Sequence, residues 1–201
     1  MSLPPQYFEE FYASGGDDPW GFTTRWYEQR KRAITLASLP RPRFRRGLEV
    51  GCSIGVLTAQ LATRCDELLA VDVAAAAVAQ AGERTARLPG VRVEQCSVPQ
   101  DWPSDEVDLL VLSEVGYYLD LPDLGLLADR AARSLTADGV LVACHWRHQV
   151  ADYPIRGDDV HQVLRSDPRL ALLAAHEEED FLLDVLMPAP AVSVARATGL
   201  L

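Results

Sequence analysis

Apolar and polar positions change their period several times along the 201 residues. From Leu48 onward, short apolar runs alternate with longer stretches in which apolar residues recur every three or four positions. Strand side chains alternate with a period of two and helices turn every 3.6 residues, whereas a strand buried on both faces is apolar throughout. The pattern predicts strands at 46–50, 67–71, 91–96, 107–113 and 138–145, with helices at 55–65, 74–87 and 122–135. Such alternation builds a Rossmann-like, doubly wound, mostly parallel α/β sheet covered by helices. After Ala151 the rhythm changes. A short helix from Asp158 to Arg165 precedes two apolar segments, 170–179 and 180–187, that read as a C-terminal antiparallel hairpin and bring the sheet to seven strands.

Ahead of this core lie two aromatic-rich helical stretches, near 5–13 and 22–38, separated by the turn-forming Gly15-Gly16-Asp17-Asp18-Pro19. Residues 1–42 read as a helical lid within a single domain spanning 1–201. The arginine-rich stretch 41–46 between lid and first strand reads as a solvated linker.

Composition narrows the partners. Twenty-nine acidic against nineteen basic residues leave a formal charge of −10, which repels phosphate backbones and anionic membranes. The N-terminus lacks the basic start and apolar core of a signal peptide, and no apolar run reaches the roughly eighteen residues of a membrane span. Cys52, Cys65, Cys96 and Cys144 are dispersed, without the paired spacing of zinc sites or disulfide frameworks. The expectation is a soluble cytoplasmic protein, monomer or weak homodimer, that acts on a small molecule without nucleic acid or membrane as partner.

Candidate chemistry clusters where strands end. In Glu49-Val50-Gly51-Cys52-Ser53-Ile54-Gly55 a strand passes into a helix, and glycines allow a ligand to approach the backbone closely. The G-x-G-x-x-G of a dinucleotide site is absent, and Glu49 would repel a phosphate while attracting a cationic amino group. About twenty residues on, Asp72 closes the second strand, from where a carboxylate reaches ribose hydroxyls; it is equally suited to cap the helix that follows. The third strand ends at Cys96-Ser97, the fourth at Ser113, Glu114, Tyr117 and Tyr118, and the fifth at His145-Trp146-Arg147-His148. In open α/β sheets ligands bind along this edge. His145 is the expected general base, because an unperturbed imidazole titrates near neutrality. The His145/His148 pair lacks a third ligand of suitable spacing, so no metal is expected. His161 and His176 have helix-surface and strand readings, respectively, that need no function.

Together, EVGCSIG, Asp72, LSEVGYYL and the fifth-strand edge resemble the class I S-adenosylmethionine-dependent methyltransferases. DPWGFTTRWYEQRK, VLSEVGYYL, ACHWRH, ADYPIRGDDVH and HEEEDFLL are similar to the nodulation protein S family, which includes N-methyltransferases of chitooligosaccharides. Ser53 stands where the broad class usually has a glycine, and GCSIG is the form expected in the narrower family. The resemblance implies S-adenosylmethionine contacts from Glu49, Gly51, Asp72 and the loop after Cys96, with Cys52, Ser53, Gly55, Ser97 and Ser113 alongside. It also implies that Trp20, Arg25 and Trp26 fold the N-terminal segment over the methionine end.

The function expected is transfer of a methyl group to a small acceptor, an amine nitrogen of an amino sugar or oligosaccharide, leaving S-adenosylhomocysteine. Glu114, His145 and Tyr117 are the catalytic candidates, and Tyr117, Tyr118 and Trp146 the acceptor-binding ones. Two alternatives stand beside this: O- or N-methylation of another metabolite, and an adenosylmethionine-binding protein without transfer.

Overall fold

The computed structural model describes residues 1–16, 18–103 and 106–201; Asp17 of the expected Gly-Gly-Asp-Asp-Pro turn lies outside them. Its centre is a seven-stranded sheet of β1 (Phe44–Val50), β2 (Cys65–Asp72), β3 (Val91–Gln95), β4 (Val107–Ser113), β5 (Leu135–Trp146), β6 (Leu170–Glu177) and β7 (Phe181–Pro188). Spatial order is β3-β2-β1-β4-β5-β7-β6, parallel except for β7, which runs antiparallel to both β5 and β6. The expected C-terminal hairpin is thus present, with β7 inserted beside β5 and β6 at the edge.

Both faces of the central strands are apolar for a visible reason. Leu48, Val50, Leu110, Leu112, Leu141 and Ala143 meet α5 (Leu121–Ser134) and α6 (Gly157–Arg165) on one side. Their neighbours Leu109, Val111, Val140, Val142, Leu183 and Val185 face α2 (Trp26–Ser38) and α3 (Val56–Leu61) on the other. A period of two split between two helical layers yields the unbroken apolar runs seen in the sequence. The helix α4 (Ala75–Thr85) packs beside α3 through Ala81 against Ala70 of β2, and α1 (Pro5–Gly15) lies on α4 through Tyr12 and Phe8, with Trp20 of the following turn beside them. A short α7 (Val194–Ala197) closes the chain. Among the described residues no helix is long and apolar enough to cross a membrane.

Several boundaries differ from expectation by a few residues, and three of the differences have a visible cause. The second lid helix starts at Trp26 rather than near 22, because Asp18 accepts the N–H groups of Phe22 and Thr23 and the Thr23 hydroxyl, holding that segment as a turn. The first core helix ends at Leu61 because Arg64 turns back to donate to the carbonyls of Leu36, Arg41 and Pro42. Nor is 41–46 a free linker. Phe44 is buried at the start of β1, the Asp108 carboxylate accepts the N–H groups of Arg45 and Arg46, and Arg41 and Arg43 pair with Asp138 and Asp66.

The two-layer core predicts a sharp contrast between positions. Leu110→Ala in β4 leaves a cavity under α5 and is expected to lower unfolding stability by about 3 kcal/mol in a denaturant titration. Leu126→Ala on the outer face of α5 should change it by less than about 0.5 kcal/mol. Equal losses at the two positions would contradict this layering.

Candidate active site

The order of the sheet reverses between β1 and β4, and the crevice at their carboxyl ends is where an open α/β sheet binds ligands. A cavity of about 510 Å³ occupies it, roofed by α1 and α2. Gly51 and Ser53 both adopt left-handed backbone there, with φ of 78° and 48°. A Cβ on Gly51 would lie 2.0 Å from Val115 of the β4 loop, so no larger residue fits. Ser53, at the position where the broader class has glycine, donates its N–H to Asp72 at 2.8 Å, and its hydroxyl bonds the Tyr12 hydroxyl of α1. The substituted glycine therefore ties the turn to the roof. Gly55 behaves otherwise. It is absent from the cavity wall, and its missing side chain lets α3 sit against Ala81 of α4, whose Cα would be 2.9 Å from a Cβ.

Two buried carboxyls line one end. Asp72 accepts N–H bonds from Ser53 and Ala74, while the N-cap of α4 is Ala74 rather than the expected Asp72, and burial raises the Asp72 pKa despite these bonds. Glu49 is 2 % exposed, with Oε2 lacking any hydrogen-bond partner. Burial, helped by the Asp72 charge, pushes its carboxyl up to about 8. A buried acceptor left unmade is costly in a finished structure. It fits a donor carried by a ligand. Cys96, Ser97 and Ser113 border the same end.

At the other end Glu114, with φ of 59°, presents a carboxylate to three donors. Lys31 of α2 donates to Oε1 at 2.7 Å, while the Tyr117 hydroxyl and the Trp146 N–H, at 3.1 Å, donate to Oε2. Lys31 also bonds Glu28 at 3.0 Å. Burial opposes the Lys31 ammonium, but the Glu114 and Glu28 charges outweigh it and hold its pKa above the ordinary lysine range. Around this knot stands an aromatic wall. Tyr117, in the 3₁₀ turn Gly116–Tyr118, stacks on Tyr153 with centroids 5.0 Å apart, Tyr118 lies edge-on to both, and Tyr27 meets Trp146 edge-on at 5.4 Å.

His145 requires a correction. Its ring points away from the cavity, toward α6, and is fully buried. Nε2 accepts the Gly116 N–H at 3.1 Å, so the proton sits on Nδ1 and is directed at His161 Nε2, 3.2 Å away. His161 Nδ1 in turn faces Asp184 at 2.7 Å, and Arg165 forks onto the same carboxylate. Burial, then the His161 and Lys31 charges, depress the His145 pKa well below the ordinary histidine range. Such an imidazole cannot take an acceptor's proton without releasing Gly116. The ring is held between Gly116 and His161 and does not line the cavity. His161 is buried in this chain rather than on the surface of α6.

The structure gathers Trp20, Arg25, Glu49, Gly51, Cys52, Ser53, Asp72, Cys96, Ser97, Ser113, Glu114, Tyr117, Tyr118 and Trp146 onto one cavity. Trp26 is 73 % exposed at the outer end of α2 and takes no part. His148 is exposed and pairs with Asp180, and among the described residues no group of three or more His, Cys, Asp or Glu side chains is placed to share a metal ion. Sequence reasoning missed Tyr12, Glu28, Lys31, Arg32 and Tyr153. The available signal was weak, since charges three or four apart on a helix ordinarily mark a solvated face.

Strand order, glycine turn and acidic strand ends together define the α/β fold of the class I methyltransferases. The family model of nodulation protein S matches residues 13–152, and the chain belongs to that family. Nodulation protein S of Bradyrhizobium diazoefficiens is 31 % identical over 128 residues, covering 63 % of this chain and 61 % of that protein. The chain spans roughly half to three fifths of the length of the curated relatives it matches. The crystal structure of the N-methyltransferase NodS from Bradyrhizobium japonicum WM9 with S-adenosyl-L-homocysteine is 26 % identical, with a TM-score of 0.83 over 92 % of this chain and 97 % of that one. A methyltransferase candidate from Pseudomonas syringae is 46 % identical, with a TM-score of 0.72 over 80 % and 98 %.

The Glu49 carboxyl gives a pH test of the site before any ligand is added. Folding raises this group from 4.5 to about 8, so the folded protein keeps a proton that the unfolded chain has lost. Its contribution therefore falls as pH rises through that window. Glu49→Gln lacks the titration. Its Tm, measured by calorimetry, is expected to gain on wild type by about 10 °C between pH 5 and pH 8.5. Parallel Tm curves would show that Glu49 is not held in this environment.

Proposed function

We propose that the protein is an S-adenosylmethionine-dependent methyltransferase whose acceptor is a small molecule bearing an amine, of the amino-sugar or oligosaccharide type. One observation carries the reading: a single cavity at the switch point joins an adenosyl-type end, Glu49 to Ser53 with Asp72, to an end formed by Glu114 and aromatic rings. The family supports it, as does the complex of the Bradyrhizobium N-methyltransferase with S-adenosyl-L-homocysteine.

Asp72 would hold the ribose, Cys96 and Ser97 would border the adenine, and Glu49 would attract the amino group of the methionine moiety. When bound, S-adenosylmethionine supplies an electrophilic methyl group on a sulfonium. The protein's own task is alignment and exclusion of water, since displacement by an amine needs a neutral lone pair in line with the methyl carbon. Glu114 is the charged group at the acceptor end. Three donors leave one lone-pair position of its carboxylate for an acceptor N–H. Tyr117, Tyr118, Tyr153 and Trp146 offer flat faces to a sugar ring and electron-rich faces to a cation. Residues 1–42 act as the lid, anchored by Tyr12 on Ser53, by Lys31 on Glu114, and by Glu9 accepting the Ala75 N–H at 2.7 Å.

Transfer of labelled methyl from S-adenosylmethionine onto a panel of amino sugars, deacetylated chitooligosaccharides, hydroxylated analogues and small metabolites, with mass-spectrometric mapping of the product, tests the reading. Methylation at nitrogen is expected. Glu114→Gln should lower kcat/KM for the amine by about 100-fold or more while leaving the Kd for S-adenosylhomocysteine within about threefold. Products methylated only at oxygen, or no transfer to any acceptor by a protein that binds the cofactor, would overturn the amine assignment.

A further inference from the structure

Beneath the Glu114 end of the cavity lies a chain of buried polar groups that methyl transfer itself does not call on. His145, His161 and Asp184 are each at most 1 % exposed. Two imidazoles and a carboxylate cost more to bury than apolar side chains of similar size. The turn Gly116–Tyr118 rests on this chain. The Gly116 N–H donates to His145 Nε2 at 3.1 Å, and a Cβ on Gly116 would stand 2.5 Å from Val160 of α6. A backbone N–H can only donate, and an ionised carboxylate can only accept. Between those two ends the protons fit in one order: from Gly116 to His145, from His145 Nδ1 to His161 Nε2, and from His161 Nδ1 to Asp184, which Arg165 grips from the other side.

We propose that His145 and His161 are positioning residues for methyl transfer, a one-way relay that clamps the Gly116–Tyr118 turn where the Tyr117 hydroxyl reaches Glu114. The inference rests on the reading of Glu114 and its aromatic wall as the acceptor end and deepens it. Both rings must be neutral. An extra proton on either one sets two N–H groups face to face, and the only arrangement that relieves them turns His145 Nε2 into a donor and gives up Gly116. Loss of Gly116 frees Tyr117, one of the three donors that hold Glu114 on left-handed backbone. The groups around the rings come from every neighbouring element. Tyr117 has its ring 5.6 Å from that of His145, Asp184 of β7 and Arg165 of α6 close the far end, Glu177 of β6 acts on Arg165, and Lys31 of α2 adds a positive charge. Burial, His161 and Lys31 all oppose an imidazolium at His145, which keeps the relay neutral and the turn clamped.

Two measurements on the full chain test this. Long-range proton–nitrogen NMR of wild type labelled in its four histidines should show His145 and His161 neutral and protonated on Nδ1 at neutral pH. Kinetics then separate positioning from mere support of the fold. With a deacetylated chitooligosaccharide as acceptor, His145→Leu should lower kcat/KM by about 30-fold while the Kd for S-adenosylhomocysteine stays within about threefold. In a Tyr117→Phe background the same substitution should cost less than about threefold, because the hydroxyl being positioned is gone. A general loosening of the fold would cost as much in either background. An imidazolium, or a ring protonated on Nε2, at either buried histidine of wild type overturns the proposal without any variant. Additive losses in the two backgrounds overturn it as well, and both results leave the acceptor reading intact. A Glu114→Gln protein as active as wild type would remove the acceptor reading and this proposal with it.

Discussion

The Glu114 carboxylate is the point on which the site depends. It sits where the parallel sheet reverses, on left-handed backbone that a glutamate adopts only under constraint. The constraint is three donors from three elements: Lys31 from the lid helix, Tyr117 from the 3₁₀ turn, and the Trp146 N–H at the end of β5. Charge-assisted bonds of this kind are strong when water is excluded, and removing one partner leaves the others buried and unmatched. The helix α2, the aromatic wall and the sheet are thereby fixed to one another through a single side chain.

Behind that knot lies a second layer of polar order. The turn carrying Tyr117 is held by the Gly116 N–H on His145, and the hydrogen-bond chain runs through His161 to Asp184 and Arg165. Asp184 is fully buried; burial opposes its charge, yet His161 and Arg165 outweigh burial and keep its pKa low. The chain thus ends in a paired charge rather than a bare one. On the opposite side of the cavity, Asp72 orders the glycine turn through Ser53 and the start of α4 through Ala74. Each half of the cavity is shaped by a carboxylate that accepts backbone N–H groups, and side chains close the space between them.

Much of this was legible in the residues alone. Parallel strands buried on both faces leave unbroken apolar runs, and a glycine turn followed about twenty residues later by an acid marks one end of a ligand crevice by position. Seven strands, the terminal hairpin and the Glu49, Asp72 and Glu114 edge follow from those signals. Other features depend on direction, which composition does not carry. His145 reads as a base because it stands at the sheet edge, yet it shares the pleat face of Leu141 and Ala143 and so meets α6 instead of the cavity. Its neighbour Trp146 lies on the other face and meets Tyr27 of the lid. Lys31 and Arg32 were invisible because helical periodicity separates apolar from polar faces without saying that a polar face will roof a cavity. Trp26 was the converse error, a large aromatic that remains in solvent. Ser53 looked like a departure from a pattern, and its hydroxyl proves to be the contact that holds Tyr12.

The central claim is that this crevice is an adenosyl-ligand site organised by Asp72. Calorimetric titration of wild type and Asp72→Ala with S-adenosylmethionine and S-adenosylhomocysteine, with NAD as control, tests it most directly. The account predicts one site per chain for both adenosyl ligands, none for NAD, and a loss of about 30-fold or more in affinity in the variant. Folded wild-type protein that binds neither adenosyl ligand, or a variant that binds them as tightly as wild type, would contradict it.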